Sequence, residues 1–282
     1  MPENSSYQIE IDQLFEEYYR DWYEGVLDPT WGKDCQYKGY FDPGEAKKTL
    51  NKIESLVSLQ DKKILDVGAG FGNLLIAARL SGYDAYGVEP DAIMFQGATK
   101  RLKGLGISED ILTNTVGESL PFEDESFDVA IFSTVLEHVQ NIYAVLSETA
   151  RIIKPGGNII IINPNYALLY EPHYSLFLPV FLPKPFLRFY LWARGRSTPF
   201  LDSLNFTTHW SFQKIFKQLP VKCIDYGLEE WEGRILGTNE YPEPPNTLKL
   251  LKIIRSLGLS RFFILLGRGG FRTPLIYKLF KD

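Results

Sequence analysis

Residues 64–72, Ile-Leu-Asp-Val-Gly-Ala-Gly-Phe-Gly, decide the fold of this chain. An apolar strand runs into three glycines spaced two apart, and a helical pattern from Asn73 to Leu80 follows at once. Glycines at 68, 70 and 72 permit a tight turn and a close approach of backbone to ligand, which a Cβ would block. A helix opening at such a turn aims free N–H groups at an anionic ligand group. Glu89, nineteen residues after Gly70, closes a second short strand, Ala85 to Val88, where a carboxylate is placed to accept from both hydroxyls of a ribose. The unit is a strand–helix–strand built for a nucleoside.

Outward from this turn, strands and helices alternate, the mark of a doubly wound α/β sheet. The pattern predicts strands over 63–67, 84–88, 111–115, 127–132 and 158–163, with helices over 73–81, 91–104 and 140–152. Lys154-Pro155-Gly156-Gly157 reads as the turn between the last helix and strand. Residues 1–60 read as a helical cap: a stripe of Ile11, Leu14, Phe15, Tyr18, Tyr19 and Trp22 over 9–24, a loop over 25–44 holding Trp31, Tyr37, Tyr40 and Phe41, and a helix over 45–59. Residues 61–163 form the nucleoside-binding core, and 164–206 a proline-stiffened aromatic lid of helical pieces. Residues 207–282 complete the sheet, with a helix over 210–219, strands over 221–226 and 274–280, and a basic helical insertion at 228–272.

Composition narrows the class. The 282 residues are 45% hydrophobic and 14% aromatic, with a net charge of −5, values that fit a globular fold and argue against general nucleic-acid binding. Cys35 and Cys223 lie far apart without metal-ligand spacing, so no metal site is expected, and a reducing, cytoplasmic location fits best. The start of the chain lacks signal-peptide character, and no apolar run is long enough to span a bilayer. Two segments are locally basic. Tyr174 to Arg196 sets Phe177, Val180, Phe181 and Leu182 beside Lys184, Arg188, Arg194 and Arg196. From 248 to 282 there are eight cations against a single acid, Asp282. Such segments suit an apolar or anionic acceptor, or peripheral contact with a membrane.

Five blocks in order give the chain a resemblance. Asp66 to Gly72 is similar to the first motif of the class I S-adenosylmethionine-dependent methyltransferases, and Gly87-Val88-Glu89-Pro90 to their second. Gly117-Glu118-Ser119-Leu120-Pro121-Phe122 resembles the segment that meets the adenine. Phe127-Asp128-Val129-Ala130 with Leu136-Glu137-His138-Val139 resembles the block around the fourth strand. Glu148 and Arg151 ahead of Ile153-Lys154-Pro155-Gly156-Gly157 complete the set. The resemblance covers about residues 60–165 and points to the small-molecule branch that includes ubiquinone-biosynthesis O-methyltransferases. It implies a Rossmann-like seven-stranded sheet, S-adenosylmethionine as methyl donor and S-adenosylhomocysteine as product. By the same resemblance Gly68 and Gly70 meet the amino acid end of the cofactor, Asp66 its ammonium, and Glu89 with Pro90 the ribose. Glu118 would then lie near the adenine, Ser133 would line the methionine end, and His138, at the entry of the helix after the fourth strand, would be a further cofactor-site residue.

For transfer to a hydroxyl the protein also needs a base. The chain has only three histidines, His138, His173 and His209. His173, in Glu171-Pro172-His173-Tyr174, follows the fifth strand, where this fold admits an acceptor, and is favoured; His209, in Thr207-Thr208-His209-Trp210-Ser211, is the alternative. Two competing readings stay open: a non-catalytic S-adenosylmethionine-binding module, and a nicotinamide-dependent Rossmann dehydrogenase, which the G-x-G-x-G spacing disfavours.

Overall fold

The structure, a computed structural model, describes residues 6–27, 32–238 and 245–281. Helices α1 (Ser6–Trp22), α2 (Gly32–Phe41) and α3 (Pro43–Leu56) precede the core. There β1 (Lys63–Val67), α4 (Asn73–Leu80), β2 (Asp84–Val88), α5 (Ala92–Gly104), β3 (Leu112–Thr113), β4 (Phe127–Ser133), α6 (Ile142–Ile152) and β5 (Ile153–Asn163) alternate. A two-stranded hairpin, β6 (Tyr170–Glu171) and β7 (Leu176–Phe177), and helix α7 (Lys184–Ala193) follow. The chain ends with α8 (His209–Phe216), β8 (Val221–Asp225), α9 (Gly227–Leu236), α10 (Pro245–Ser256), α11 (Ser260–Arg268) and β9 (Leu275–Lys281).

Seven strands form one sheet in the order β3-β2-β1-β4-β5-β9-β8, parallel up to β5 and antiparallel at β9 and β8. Helices cover both faces, so the central strands are nearly continuously apolar. Alternate residues serve opposite layers: Leu65, Ile159 and Ile161 pack with α6 and α8, while Ile64 and Ile160 pack with α3, α4 and α5. The order reverses direction on either side of β1 and β4, which places the glycine turn after β1 at the crevice where ligands enter open α/β sheets.

Several elements differ from the sequence reading. Residues 32–41, expected as loop, are helix α2. Its glycines weaken helix propensity, but Tyr37, Tyr40 and Phe41 pack edge-on around Phe15, and tertiary contact prevails. Trp31 lies outside the described residues. Helix α3 starts at Pro43, capped by the Asp42 side chain, and stops at Leu56. Strand β5 begins at Ile153 and carries Lys-Pro-Gly-Gly within it as an irregularity opposite Phe127 and Val129. The 164–206 segment, expected as helical pieces, also contains the β6–β7 hairpin. A third apolar cluster joins cap to lid: Phe15, Tyr18, Tyr23 and Phe71 pack with Tyr174, Leu187, Leu191 and Phe200. Among the described residues no helix is long and apolar enough to cross a membrane, and no cluster of His, Cys, Asp and Glu is suited to a metal.

Candidate functional site

The glycine turn is built as its residues require. Gly68, Gly70 and Gly72 all have positive φ, at +76°, +57° and +79°. A Cβ at Gly68 would lie 2.7 Å from both Val135 methyls, so any larger residue displaces the loop after β4. Asp66, at the end of β1, is 4% exposed, and its Oδ2 has no hydrogen-bond partner. Burial, then the nearby Glu89, push its carboxyl up to about 7. A buried acceptor left open in this way suits an ammonium group. Glu89 is 5% exposed; its Oε2 accepts from Gly70 N at 2.7 Å and its Oε1 from Asp91 N at 2.9 Å. Burial outweighs these bonds and raises it to about 7. The two amides fix the carboxylate against the turn and leave its remaining lone pairs for a diol. Asn114 holds the next loop by donating to the carbonyls of Glu89 and Pro90.

A second polar cluster lies under the lid. His173 Nδ1 is 2.6 Å from Glu171 Oε1, and Glu171 is fully buried, its Oε2 accepting from Tyr174 N at 2.6 Å. The β6–β7 hairpin makes this pair, since it holds Glu171 in a strand and turns His173 back over it. Burial resists charging of His173, but the bond to Glu171 and the charges of Glu171 and Glu137 win, so its pKa is raised. His138 meets His173 edge-on at 5.1 Å; burial and the charge of His173 lower it to about 3, so it stays neutral. Glu137 is 1% exposed with Oε2 unpaired, and burial raises it to about 7.

Cap tyrosines bridge the two clusters. Tyr40 approaches Gly70 and feels the charge of Glu89; Tyr18 packs against both Tyr40 and Tyr23; Tyr23 stacks on His173 at 6.1 Å. Burial raises all three hydroxyls above their ordinary range, so they remain proton donors. Glu171, Tyr18 and Tyr23 were not singled out as site residues from sequence. Glu171 had a local signal, an acid two residues before a histidine. The tyrosines had none, because only the docking of α1 brings them to the site.

The remaining predicted residues are placed as follows. Ser133 ends β4, and Thr134 after it has a φ of +56°, an uncommon conformation for a β-branched residue. Glu118 Oε1 accepts from the amides of Gln140 and Asn141, anchoring the approach to α6. Arg151 and Glu148 bind the backbone of Leu120 and Phe122, which explains why that pair accompanies the Leu-Pro-Phe segment. His209 stands apart: its Nδ1 meets Tyr277 Oη at 2.8 Å and Arg272 Nη2 at 2.9 Å, and Arg272 also binds Asp225. Burial and Arg272 lower its pKa. Among the described residues no hydrogen bond or ring contact links His209 to His138 or His173, so the structure gathers two histidines and leaves the third in a brace between α8 and β9.

Comparison with known proteins bears on this arrangement. Residues 65–161 match the family model described as a methyltransferase domain. The demethylmenaquinone methyltransferase of Tropheryma whipplei is 32% identical over 124 residues, 44% of this chain and 51% of that one. The ubiquinone biosynthesis O-methyltransferase of Hahella chejuensis is 30% identical over 139 residues, 49% and 57% of the two chains. The chain thus spans about half the length of the curated relatives it matches. In fold it is similar to the YcgJ protein of Bacillus subtilis (TM-score 0.51, 17% identity, 84% of this chain and 99% of that one). It is likewise similar to a geranyl diphosphate methyltransferase solved with geranyl diphosphate and sinefungin (TM-score 0.51, 17% identity, 92% and 86%).

Proposed function

We propose that this chain, whose residues 65–161 are a methyltransferase domain, transfers a methyl group from S-adenosylmethionine to a hydroxyl of a small molecule in the cytoplasm. The observation that carries the reading is the pairing, under one cap, of the glycine turn with its open Asp66 carboxylate and the buried Glu171–His173 pair. The residues fit the cofactor: Asp66 for the ammonium, Gly68 and Gly70 for close backbone approach, Glu89 for the ribose, with Glu118, Ser133 and His138 bordering the site. The cofactor, when bound, supplies an electrophilic methyl on a good leaving group. The chain's work is to align the acceptor, exclude water and take a proton. His173 is the base. Glu171 holds Nδ1, which leaves Nε2 of the neutral ring as the acceptor of the hydroxyl proton. Neutral His138 and the ring of Tyr23 pack against His173. The apolar, aromatic surroundings of the Glu171–His173 pair, where cap and lid pack together, favour an apolar acceptor, and the two free thiols accord with a reducing compartment.

Calorimetry tests the donor site. S-adenosylhomocysteine is expected to bind in the micromolar range and NAD not to bind. Glu89→Ala should weaken S-adenosylhomocysteine about tenfold to a hundredfold, the scale of lost hydrogen bonds to a charged group. Unchanged affinity would remove Glu89 from the ribose. Mass spectrometry of a cell extract incubated with protein and labelled cofactor then identifies the acceptor and the atom methylated; no labelled product would leave a binding module.

A further inference from the structure

Helix α7 is apolar on two sides. Leu187 and Leu191 are fully buried in the cap–lid cluster. Phe186, Phe189 and Trp192 occupy another side, 63%, 67% and 68% exposed, and Phe181 just before the helix is 71% exposed. Three-residue spacing puts the helical rings on one face. Single exposed apolar residues are ordinary, but a contiguous aromatic stripe marks an interaction surface.

The charges say what covers it. From Pro172 to Leu201 the chain carries Lys184, Arg188, Arg194 and Arg196 and no acid, within a protein of net charge −5. Arg188 and Arg194 lie exposed beside the rings. Arg188 is 2.6 Å from Asp202, a solvent-exposed pair for which a phosphate can compete. The α10–α11 pair repeats the pattern, with Leu257, Phe262 and Leu265 exposed near Lys252 and Arg261. A second copy of the chain suits this surface poorly, because a two-fold contact lays each face on itself and brings like cations together. An anionic bilayer complements both parts, taking the rings at the acyl boundary and the cations at the headgroups.

We propose that the outer face of α7 docks this protein on anionic lipid bilayers as a peripheral membrane protein. The proposal is independent of the methyl-transfer reading. Co-sedimentation of the full chain with vesicles of phosphatidylcholine, with and without phosphatidylglycerol, tests it. Binding is expected with phosphatidylglycerol, at least about tenfold weaker without it, and released by about 1 M salt. The double variant Phe186→Ser/Trp192→Ser is expected to lose at least about tenfold in vesicle partition while keeping its melting temperature and its S-adenosylhomocysteine affinity. Lys184→Gln/Arg194→Gln should lose the preference for phosphatidylglycerol and keep the fold. No binding to either vesicle, or equal binding to both, overturns the proposal. So does a dimer in light scattering that Phe186→Ser/Trp192→Ser dissociates, which would assign the face to a second copy. S-adenosylhomocysteine binding reports on the donor site alone, so failure of one reading is distinguishable from failure of the other.

Discussion

The chemistry assigned to His173 depends on a neighbour two positions away. A base must be neutral to accept a proton, and Glu171 raises the pKa of His173 against the effect of burial. Turnover is therefore expected to rise with pH through an apparent pKa above about 6.5, the ordinary imidazole value. Glu171→Gln removes the charge that favours imidazolium, so burial takes over and the limb should move to lower pH. The plateau should also fall, because an amide no longer selects the tautomer with Nε2 free. His173→Ala should lower kcat by about 10²–10⁴-fold and leave S-adenosylhomocysteine affinity unchanged, read from kinetics beside calorimetry. A pH limb that persists unchanged in His173→Ala would place the base elsewhere. At this scale the glycine turn was legible because its motif is local: the glycines, Asp66 and Glu89 lie within one strand–helix–strand. Glu171 went unassigned because its role is made by a two-residue hairpin with no visible periodicity.

Elements were legible in proportion to how far their own residues determine them. Strands β1, β2 and β4 read directly because buried parallel strands are short apolar runs bounded by turn residues. Helix α2 did not, since its sequence lacks an amphipathic stripe and its aromatics pack against distant segments, α1, Phe71 and Arg101 of α5. The β1–α4 turn is the element where local sequence and tertiary packing constrain each other most tightly. Gly68→Ala meets both constraints: a positive φ costs an L-residue about 1–2 kcal/mol, and the Val135 methyls at 2.7 Å must move as well. Chemical denaturation should show a loss of at least about 1 kcal/mol together with greatly weakened S-adenosylhomocysteine binding. Gly82→Ala is the control, because its φ is also positive but nothing lies near its missing Cβ. It should lose comparable backbone stability and keep ligand affinity. Equal affinity in both variants would mean that the turn tolerates a Cβ where the cofactor is placed.

At the scale of the whole molecule, closing cap and lid over the sheet gathers charge that the fold then disfavours. Asp66 and Glu137 are 4% and 1% exposed, each with an unpaired oxygen, and both are raised to about 7, as is Glu89. None of this was visible in the sequence, since it follows from the docking of α1, α2 and the lid hairpin rather than from any one segment. The sign of the consequence is fixed. A carboxyl with a raised folded pKa holds a proton in the native state over a range where the unfolded chain has released it. Its stabilisation is complete below the unfolded value of about 4 and is lost as pH rises through about 7. Groups held low, such as Glu148 by Arg151 and Asp128 by the Lys63 amide and Lys154, lose their contribution only well below pH 5. His138 and His209, whose pKa values burial lowers, work the other way up to about pH 6.5, where the unfolded chain's imidazoles take up protons, but the three raised carboxyls outnumber them. The ligand-free protein should therefore melt at progressively lower temperature from about pH 5 to about pH 7.5 and level off above about pH 8. Asp66→Asn and Glu137→Gln each remove one titrating group and should flatten that slope. Scanning calorimetry across the pH series decides it: a melting temperature that rises over the same window would mean that these carboxylates are charged in the native state, and that the cap does not close over the site before the cofactor arrives.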